Sequence, residues 1–361
     1  MRILIAGEGY WPWYQGACAD ALRSLGHCVK DFSWYDFFVT KRKDGEDPIP
    51  KSVSARIENR LKVGPRMVLL NRALLRAAEG FMPDVVFVYN GTNVFASTLT
   101  KLKSRCPKTF LVQYSNDNPF GRGASRLLWR HVIRAIPHYD LHFVYRHLNI
   151  EEFKRSGAKA VELLRSYYIP ERDYRVELQS EHEHFRCDVV FAGHYENDLR
   201  VGCLEEVCRT GYRLNLFGGG WGAALTSLSP DSPLRGLFPV RPVVGEDYLR
   251  ALSGSKIALC FLSKLNRDTY TRRNFEIPAT KTFMLTEYSE DISSLFREGY
   301  EAEFFRCKSE LGEKIAFYLS HEGEREAIAQ RGYERLVRDG HDVVSRMKQA
   351  MDHICGRKGG N

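Results

Sequence analysis

Apolar runs in this chain, such as Ile3–Ala6 and Val85–Val88, end after a handful of residues. A bilayer crossing needs about 18 or more, so a transmembrane helix is excluded. The opening Met1–Gly7 is too short in its apolar part for a secretory signal and has no small-x-small cleavage site. Paired cysteine motifs are also missing. The nine cysteines are scattered, with no C-x-x-C and an odd total, which argues against both a disulfide framework and a zinc site. Buried thiols in a reducing compartment are expected instead, and hence a cytoplasmic protein. Among the eleven histidines there is no H-E-x-x-H, and no D-x-D motif stands at a suitable strand end, so no obligatory metal is expected. Arginines are not interleaved with stacking aromatics on one sheet face, which excludes a nucleic-acid partner. Low-complexity segments and short-period repeats are absent.

What remains is an ordinary globular composition: 361 residues, 43% hydrophobic and 27% charged, enough for two domains that each bury a core. The formal net charge is +8. It reads either as an anionic partner (a phosphate-bearing ligand, an acidic polymer or a membrane surface) or as a mild excess for this length.

The order of elements points to α/β lobes. Arg2–Ala6 is a short β run broken by Gly7-Glu8-Gly9, a helix follows over Gln15–Leu25, and Cys28–Phe32 starts a second strand. That βαβ unit implies a parallel sheet. Strands recur at Pro83–Tyr89, Thr109–Tyr114 and Tyr139–Val144, then at Cys187–Gly193, Arg213–Phe217, Lys256–Phe261 and Thr282–Thr286, before charged helices close the chain. The expected organisation is a Rossmann-like lobe over residues 1–166, a linker over 167–186, a second Rossmann-like lobe over 187–340 and a C-terminal helix over 341–361 that returns to the first lobe. In such sheets ligands bind beyond the carboxyl ends of the strands, here across a cleft between the two lobes.

Residues Tyr270–Glu287 contain Arg273, Phe275, Glu276, Ala279, Phe283, Leu285, Thr286 and Glu287 in the pattern R-x-F-E-x-x-A-x-x-x-F-x-L-T-E. This segment resembles the C-terminal lobe of group 1 glycosyltransferases of the GT-B fold, in particular the CgeB-like branch. The likeness continues through Phe296, Gly299, Tyr300-Glu301 and Phe304-Phe305. It implies a GT-B architecture and transfer of a sugar from a nucleotide-diphosphate donor to an acceptor hydroxyl on a cell-surface glycan, a lipid-linked carrier or a protein. It also implies no bound cofactor, with a UDP-sugar favoured as co-substrate.

Within that resemblance the residues acquire roles. A helix starting near Arg273 would direct free N–H groups at a diphosphate, and Arg272 and Arg273 would add charge-assisted hydrogen bonds. Glu276 aligns with the glutamate that accepts the ribose hydroxyls in related enzymes; the alternative is an acid favoured by the helix N-terminus alone. The partner acid of the family's E-x(7)-E motif falls on Asp268, one methylene shorter. The loop that gives relatives an arginine and a lysine to the phosphates holds His194 and Arg200 here, after Gly193. Gly219, in the Gly218–Gly220 run, matches the family's glycine loop below the base. Gly7 and Gly9 stand where the family's first loop approaches acceptor and sugar.

Asp117, in Ser115-Asn116-Asp117-Asn118-Pro119, matches an acidic loop near the donor's anomeric centre and is the catalytic candidate. Its carboxylate could deprotonate the acceptor or hold a sugar hydroxyl, or it could simply form an Asx turn before Pro119. Retention and inversion both stay open. Arg122, Arg126, Arg130 and Arg134 form one basic stripe, and Arg56 through Arg76 a second. They read as docking for an anionic membrane or acidic acceptor, or as solvated helix faces. A non-catalytic nucleotide-sugar binding protein and a nucleotide-sugar epimerase are the alternative functions.

Overall fold

A computed structural model describes residues 1–40 and 49–359. They divide into two compact units. The first comprises Met1–Ser166, Leu265–Arg267 and the chain from Val343 on; the second comprises Tyr167–Lys264 and Asp268–Asp342.

In the first unit, β1 (Arg2–Gly7), α1 (Ala17–Ser24) and β2 (Cys28–Ser33) form the expected βαβ start. A two-residue pair, β3 (Val39–Thr40) and β4 (Ile49–Pro50), precedes α2 (Val53–Leu61) and α3 (Pro65–Phe81). Then come β5 (Val85–Tyr89), α4 (Ala96–Arg105), β6 (Phe110–Ser115), α5 (Arg126–Ala135), β7 (Leu141–Val144), α6 (His147–Arg155) and β8 (Val161–Leu163). The sheet order is β2-β1-β5-β6-β7-β8, parallel throughout. Helices cover both faces of such a sheet, which is why β5 (VVFVY) is apolar at every position and buried along its length. Ser52 starts α2 by accepting the Ala55 N–H at 3.1 Å, and Pro65 occupies the first turn of α3, where it leaves no extra donor unmet.

The second unit contains β9 (Cys187–Ala192), α7 (Leu199–Arg209), β10 (Leu214–Phe217), α8 (Glu246–Ser253) and β11 (Ser255–Cys260). It continues with α9 (Arg273–Ala279), β12 (Phe283–Glu287), α10 (Glu290–Leu295), β13 (Glu303–Phe305), α11 (Lys308–Ser320) and α12 (Glu322–Arg338). Its sheet, β10-β9-β11-β12-β13, is again parallel. Phe191, Trp221, Leu259, Phe283 and Ile328 lie in its core. The last helix, α13 (Val343–Lys358), belongs to the first unit: it packs on α1, Arg357 pairs with Glu162 of β8 at 2.5 Å, and Lys358 Nζ donates to the Asp84 carbonyl at 2.9 Å.

Three local expectations are revised. The helix expected from Gln15 is preceded by a π-helical turn over Pro12–Gly16, and regular α-helix begins only at Ala17. Arg122 is not part of a helical stripe, because Gly121 and Gly123 interrupt the pattern and its N–H bonds the Leu265 carbonyl at 3.0 Å before α5 begins. Arg130 is engaged structurally, donating to the carbonyls of Leu61 (2.5 Å) and Lys62 (2.7 Å).

Candidate functional site

Each unit gathers its candidate residues at the carboxyl end of its sheet. In the first unit the loops after β1, β5 and β6 enclose a cavity of about 130 Å³ lined by Glu8, Trp11, Tyr14, Tyr89, Asn90 and Asp117, among others. Asn90 Nδ2 donates to Asp117 Oδ2 at 3.4 Å, and Arg146 Nη1 holds the same loop through the Asn116 carbonyl at 2.9 Å. Burial raises the Asp117 carboxyl above its ordinary range, against the pull of Arg146 and the Asn90 hydrogen bond. Burial raises Glu8 as well; Lys62 opposes the shift and the Asp117 charge adds to it. Lys62 is itself buried. Its ammonium donates to Asn59 and Asn93 Oδ1, each at 2.9 Å, and desolvation lowers its pKa to about 8.

Two carboxyls and a lysine, all shifted toward neutrality by burial, gather here, an arrangement suited to acid–base chemistry. Gly7 and Gly9 both flank Glu8. Gly9 has φ +68°, and a β-carbon there would come within 2.6 Å of the Ser33 side chain. An aromatic cluster borders the cavity: Trp11 stacks on Trp13 at 4.7 Å, Tyr10 on Tyr35 at 5.4 Å, and Tyr14 packs against Tyr89 at 5.8 Å.

In the second unit the loops after β9 and β10 are joined by backbone. Gly193 N–H bonds the Phe217 carbonyl (2.8 Å), Tyr195 N–H bonds that of Gly219 (3.0 Å), and Trp221 Nε1 donates to that of Gly193 (2.9 Å). A β-carbon on Gly219 would touch the His194 ring at 3.2 Å. Gly218, at φ +144°, leaves no room at all: a β-carbon would overlap the Gly193 carbonyl. Gly218→Ala is therefore expected to destabilise the protein by about 1–3 kcal/mol. Thermal denaturation checks this, at about 2–4 °C per kcal/mol for a unit of this size.

Arg273, the first residue of α9, donates through Nε to the Ala192 carbonyl at 2.6 Å, which sets its guanidinium beside Gly193. Glu276, one turn on, accepts the Tyr248 hydroxyl at 2.8 Å and pairs with Arg272 at 2.5 Å. Arg272 also reaches Asp173 at 3.4 Å. Burial, and then the Glu276 charge, push Asp173 up to about 6, while burial raises the Tyr248 hydroxyl well above its ordinary value. His194 is lowered by burial and by the neighbouring Arg273 and Arg200, so its imidazole is neutral at pH 7.

The structure thus brings Gly193, His194, Gly219 and Arg273 together, and links Arg272 with Glu276. Arg200 differs from expectation. Its Nε and Nη2 each donate to Asp198 at 2.8 Å, its Nη1 donates to the His194 carbonyl at 2.5 Å, and its side chain is 4% exposed. It braces the loop from within. Asp268 lies in the β11–α9 loop, with its N–H on the Ser263 carbonyl at 2.8 Å.

Sequence reasoning passed over Glu8, Lys62, Asp173 and Tyr248. For Glu8 a signal was present, an acid between two glycines at a strand end. For the others no local pattern exists, because their partners are distant in sequence.

Residues 200–352 match the family model described as "Glycosyl transferase-like". No curated protein sequence matches the chain significantly. Among solved structures, sucrose-phosphate synthase from Thermosynechococcus elongatus is similar, with a TM-score of 0.68, 10% identity, and coverage of 99% of this chain and 100% of that one. The α,α-trehalose 6-phosphate synthase of Burkholderia multivorans superposes with a TM-score of 0.66 at 12% identity, over 100% of both chains. Anabaena HepE in complex with UDP-glucose gives 0.65 at 12% identity, over 99% of this chain and 100% of that one. The fold is GT-B, with two Rossmann-like lobes. The matched segment and the shared fold together support a glycosyltransferase.

Proposed function

We propose that the protein transfers a hexosyl group from a UDP-sugar to a hydroxyl of a glycan acceptor, as a member of the CgeB-like branch. The observation that carries this reading is the second-unit cluster: Arg273 fixed beside Gly193, and Glu276 held by Tyr248 and Arg272 on the helix of the matched segment. HepE was solved with UDP and with UDP-glucose, which favours uracil as the base here. In this reading Glu276 accepts the ribose hydroxyls. Arg273 and the backbone N–H groups of the Gly193 and Gly219 loops meet the diphosphate. The departing charge is then stabilised by fixed donors and a guanidinium, with no metal and no bound cofactor needed.

The acceptor is assigned to the first unit. Aromatic faces such as Trp11 and Trp13 suit the apolar face of a sugar ring, and the adjoining Asp117 suits the reacting hydroxyl. As the acceptor oxygen bonds the anomeric carbon, its proton passes to the carboxylate and the bond to the diphosphate breaks. The test is a thermal-shift series with UDP, GDP and ADP, followed by a donor-hydrolysis and transfer assay with the best nucleotide's sugars. UDP is expected to stabilise the chain by about 2.7 kcal/mol at 100 times its dissociation constant. No shift with any nucleotide would overturn the reading. Binding without turnover across a panel of glycan acceptors would favour the non-catalytic alternative.

The acceptor is read as membrane-borne. Val53, Ile57 and Leu61 form an exposed row on α2, with Leu69 exposed on α3 and Leu127 on α5, and Arg56, Arg60, Arg72, Arg76 and Arg126 lie exposed among them. Arg130 ties two of these positions together by donating to the carbonyls of both Leu61 and Leu127. The acid of α2, Glu58, is buried and paired with Arg66 at 2.5 Å, so no exposed carboxylate offsets these arginines on α2. Such a face suits anionic lipid, at about 1 kcal/mol per basic residue near the surface. The protein should sediment with phosphatidylglycerol vesicles but not with phosphatidylcholine ones, and Ile57→Glu with Leu61→Glu should reduce binding at least tenfold.

A further inference from the structure

The amino ends of the second-unit strands carry a different site. There a cavity of about 700 Å³ opens between the starts of β9, β11 and β12 and the side of α12. Its volume is that of a small-molecule pocket. Six cations line it: Arg175, Arg186, Arg213, Lys256, Lys281 and Arg325. Three carboxylates share the lining, and two are already engaged. Asp188 is held by Lys256 at 2.8 Å and by the Arg213 N–H at 3.0 Å, and Glu322 pairs with Arg325 at 3.0 Å. Even with Glu326 counted as the third acid, cations outnumber acids by six to three.

Arg186 is paired outside the lining with Glu183 at 2.8 Å, so the surplus rests on Arg175, Arg213 and Lys281. The Arg213 guanidinium makes no hydrogen bond or ion pair among the described residues, though its charge acts on Asp188. Among the described residues Arg175 meets only a neutral acceptor, the Lys281 carbonyl at 3.3 Å. Lys281 stands in the left-handed region at φ +53°, which is unusual for a non-glycine residue, and its ammonium lies over the Tyr333 ring at 4.7 Å. Ser253, Ser255, Thr282 and Gln330 add hydroxyl and amide groups to the lining. A cavity of this size, with excess guanidinium and ammonium charge and neutral polar groups between, matches the oxygens of a multiply charged phosphate.

We propose that this cavity binds a phosphorylated anion, separately from any nucleotide at the other end of the same sheet. The separation follows from β9 itself: Cys187 lines this cavity, Gly193 follows the far end of the strand, and the rise of about 3.3 Å per residue puts roughly 20 Å between them. One diphosphate cannot span that distance. The assignment is independent of the proposed transfer reaction.

Calorimetric titration of the full chain with inorganic tripolyphosphate tests it, with sulfate at matched ionic strength as the control and glucose 6-phosphate as the organic arm. Saturable binding of either phosphate compound is expected, and the tighter of the two identifies an inorganic or a sugar-phosphate source. Arg213→Glu with Lys281→Glu should weaken binding at least tenfold. Both residues are exposed, so the unliganded melting temperature should be kept, and the single variant Arg213→Gln provides a milder check. Arg273→Gln, at the other end of the sheet, should leave the affinity unchanged. The proposal is overturned if neither phosphate compound saturates, if sulfate binds as well, or if Arg273→Gln rather than the cavity variants abolishes binding.

Discussion

Asp117→Asn is expected to lower kcat by about 10²–10⁴-fold while leaving the melting temperature at or above that of the wild type. The two effects have one cause. Burial holds the Asp117 carboxyl above its ordinary pKa, so the folded protein binds this proton more tightly than the unfolded chain does. Stability then falls as pH rises from the unfolded pKa through the folded one, and above both the ionised group carries its full penalty. Asparagine removes the penalty and also the proton acceptor. The difference in melting temperature should therefore shrink as the pH is lowered below the usual carboxylate range. In the wild type, a base must be ionised to act, so activity should rise with pH along a limb displaced upward from that range. A residue that merely formed a turn before Pro119 would give no such limb, and its replacement would spare kcat.

Glu276→Gln should weaken UDP binding by about 10- to 100-fold, in line with roughly 1.5–3 kcal/mol for a hydrogen bond to a charged group. At a nucleotide concentration 100 times the wild-type dissociation constant, the stabilisation should fall from about 2.7 kcal/mol to about 1.4 kcal/mol for a tenfold weakening and about 0.4 kcal/mol for a hundredfold one. The variant should still fold. Glu276 is one of two acids around Arg272, and its charge helps to hold Asp173 up at about 6. Neutralising Glu276 lets Asp173 ionise more readily and keep Arg272 paired. Nucleotide affinity unchanged in this variant would remove Glu276 from the donor site.

Much of the architecture was legible because parallel strands buried on both faces have to be apolar, and β5 and the Ile257–Cys260 part of β11 read that way in the sequence. The segment from Arg273 to Glu287 was legible as a pattern, and Arg273 and Glu276 indeed open one helix. The environment of those residues was not legible. Tyr248 lies 28 positions from Glu276 and Asp173 lies 99 from Arg272, and only folding brings them into contact. Asp173 in particular sits in a stretch that reads as a linker. Lys62 looks like one more member of a basic series until the left-handed turn at φ +53° after α2 buries its ammonium beside two asparagines. Arg200 shows the converse. Its place in the loop was visible, but its engagement by Asp198 was not, because a capping acid and a ligand-facing arginine look alike along a chain.

The return of α13 to the first unit sets an order of events during synthesis. When Ser166 leaves the ribosome, the sheet-forming segments of that unit are all present, yet the helix that packs on α1 has not been made. At about 5–20 residues per second, the stretch from Tyr167 to Asp342 takes roughly 9–35 s to emerge. Throughout that interval the surface of α1 that α13 will cover stays open to solvent and to chaperones. The second unit, whose residues lie between the two parts of the first, can close before the first does.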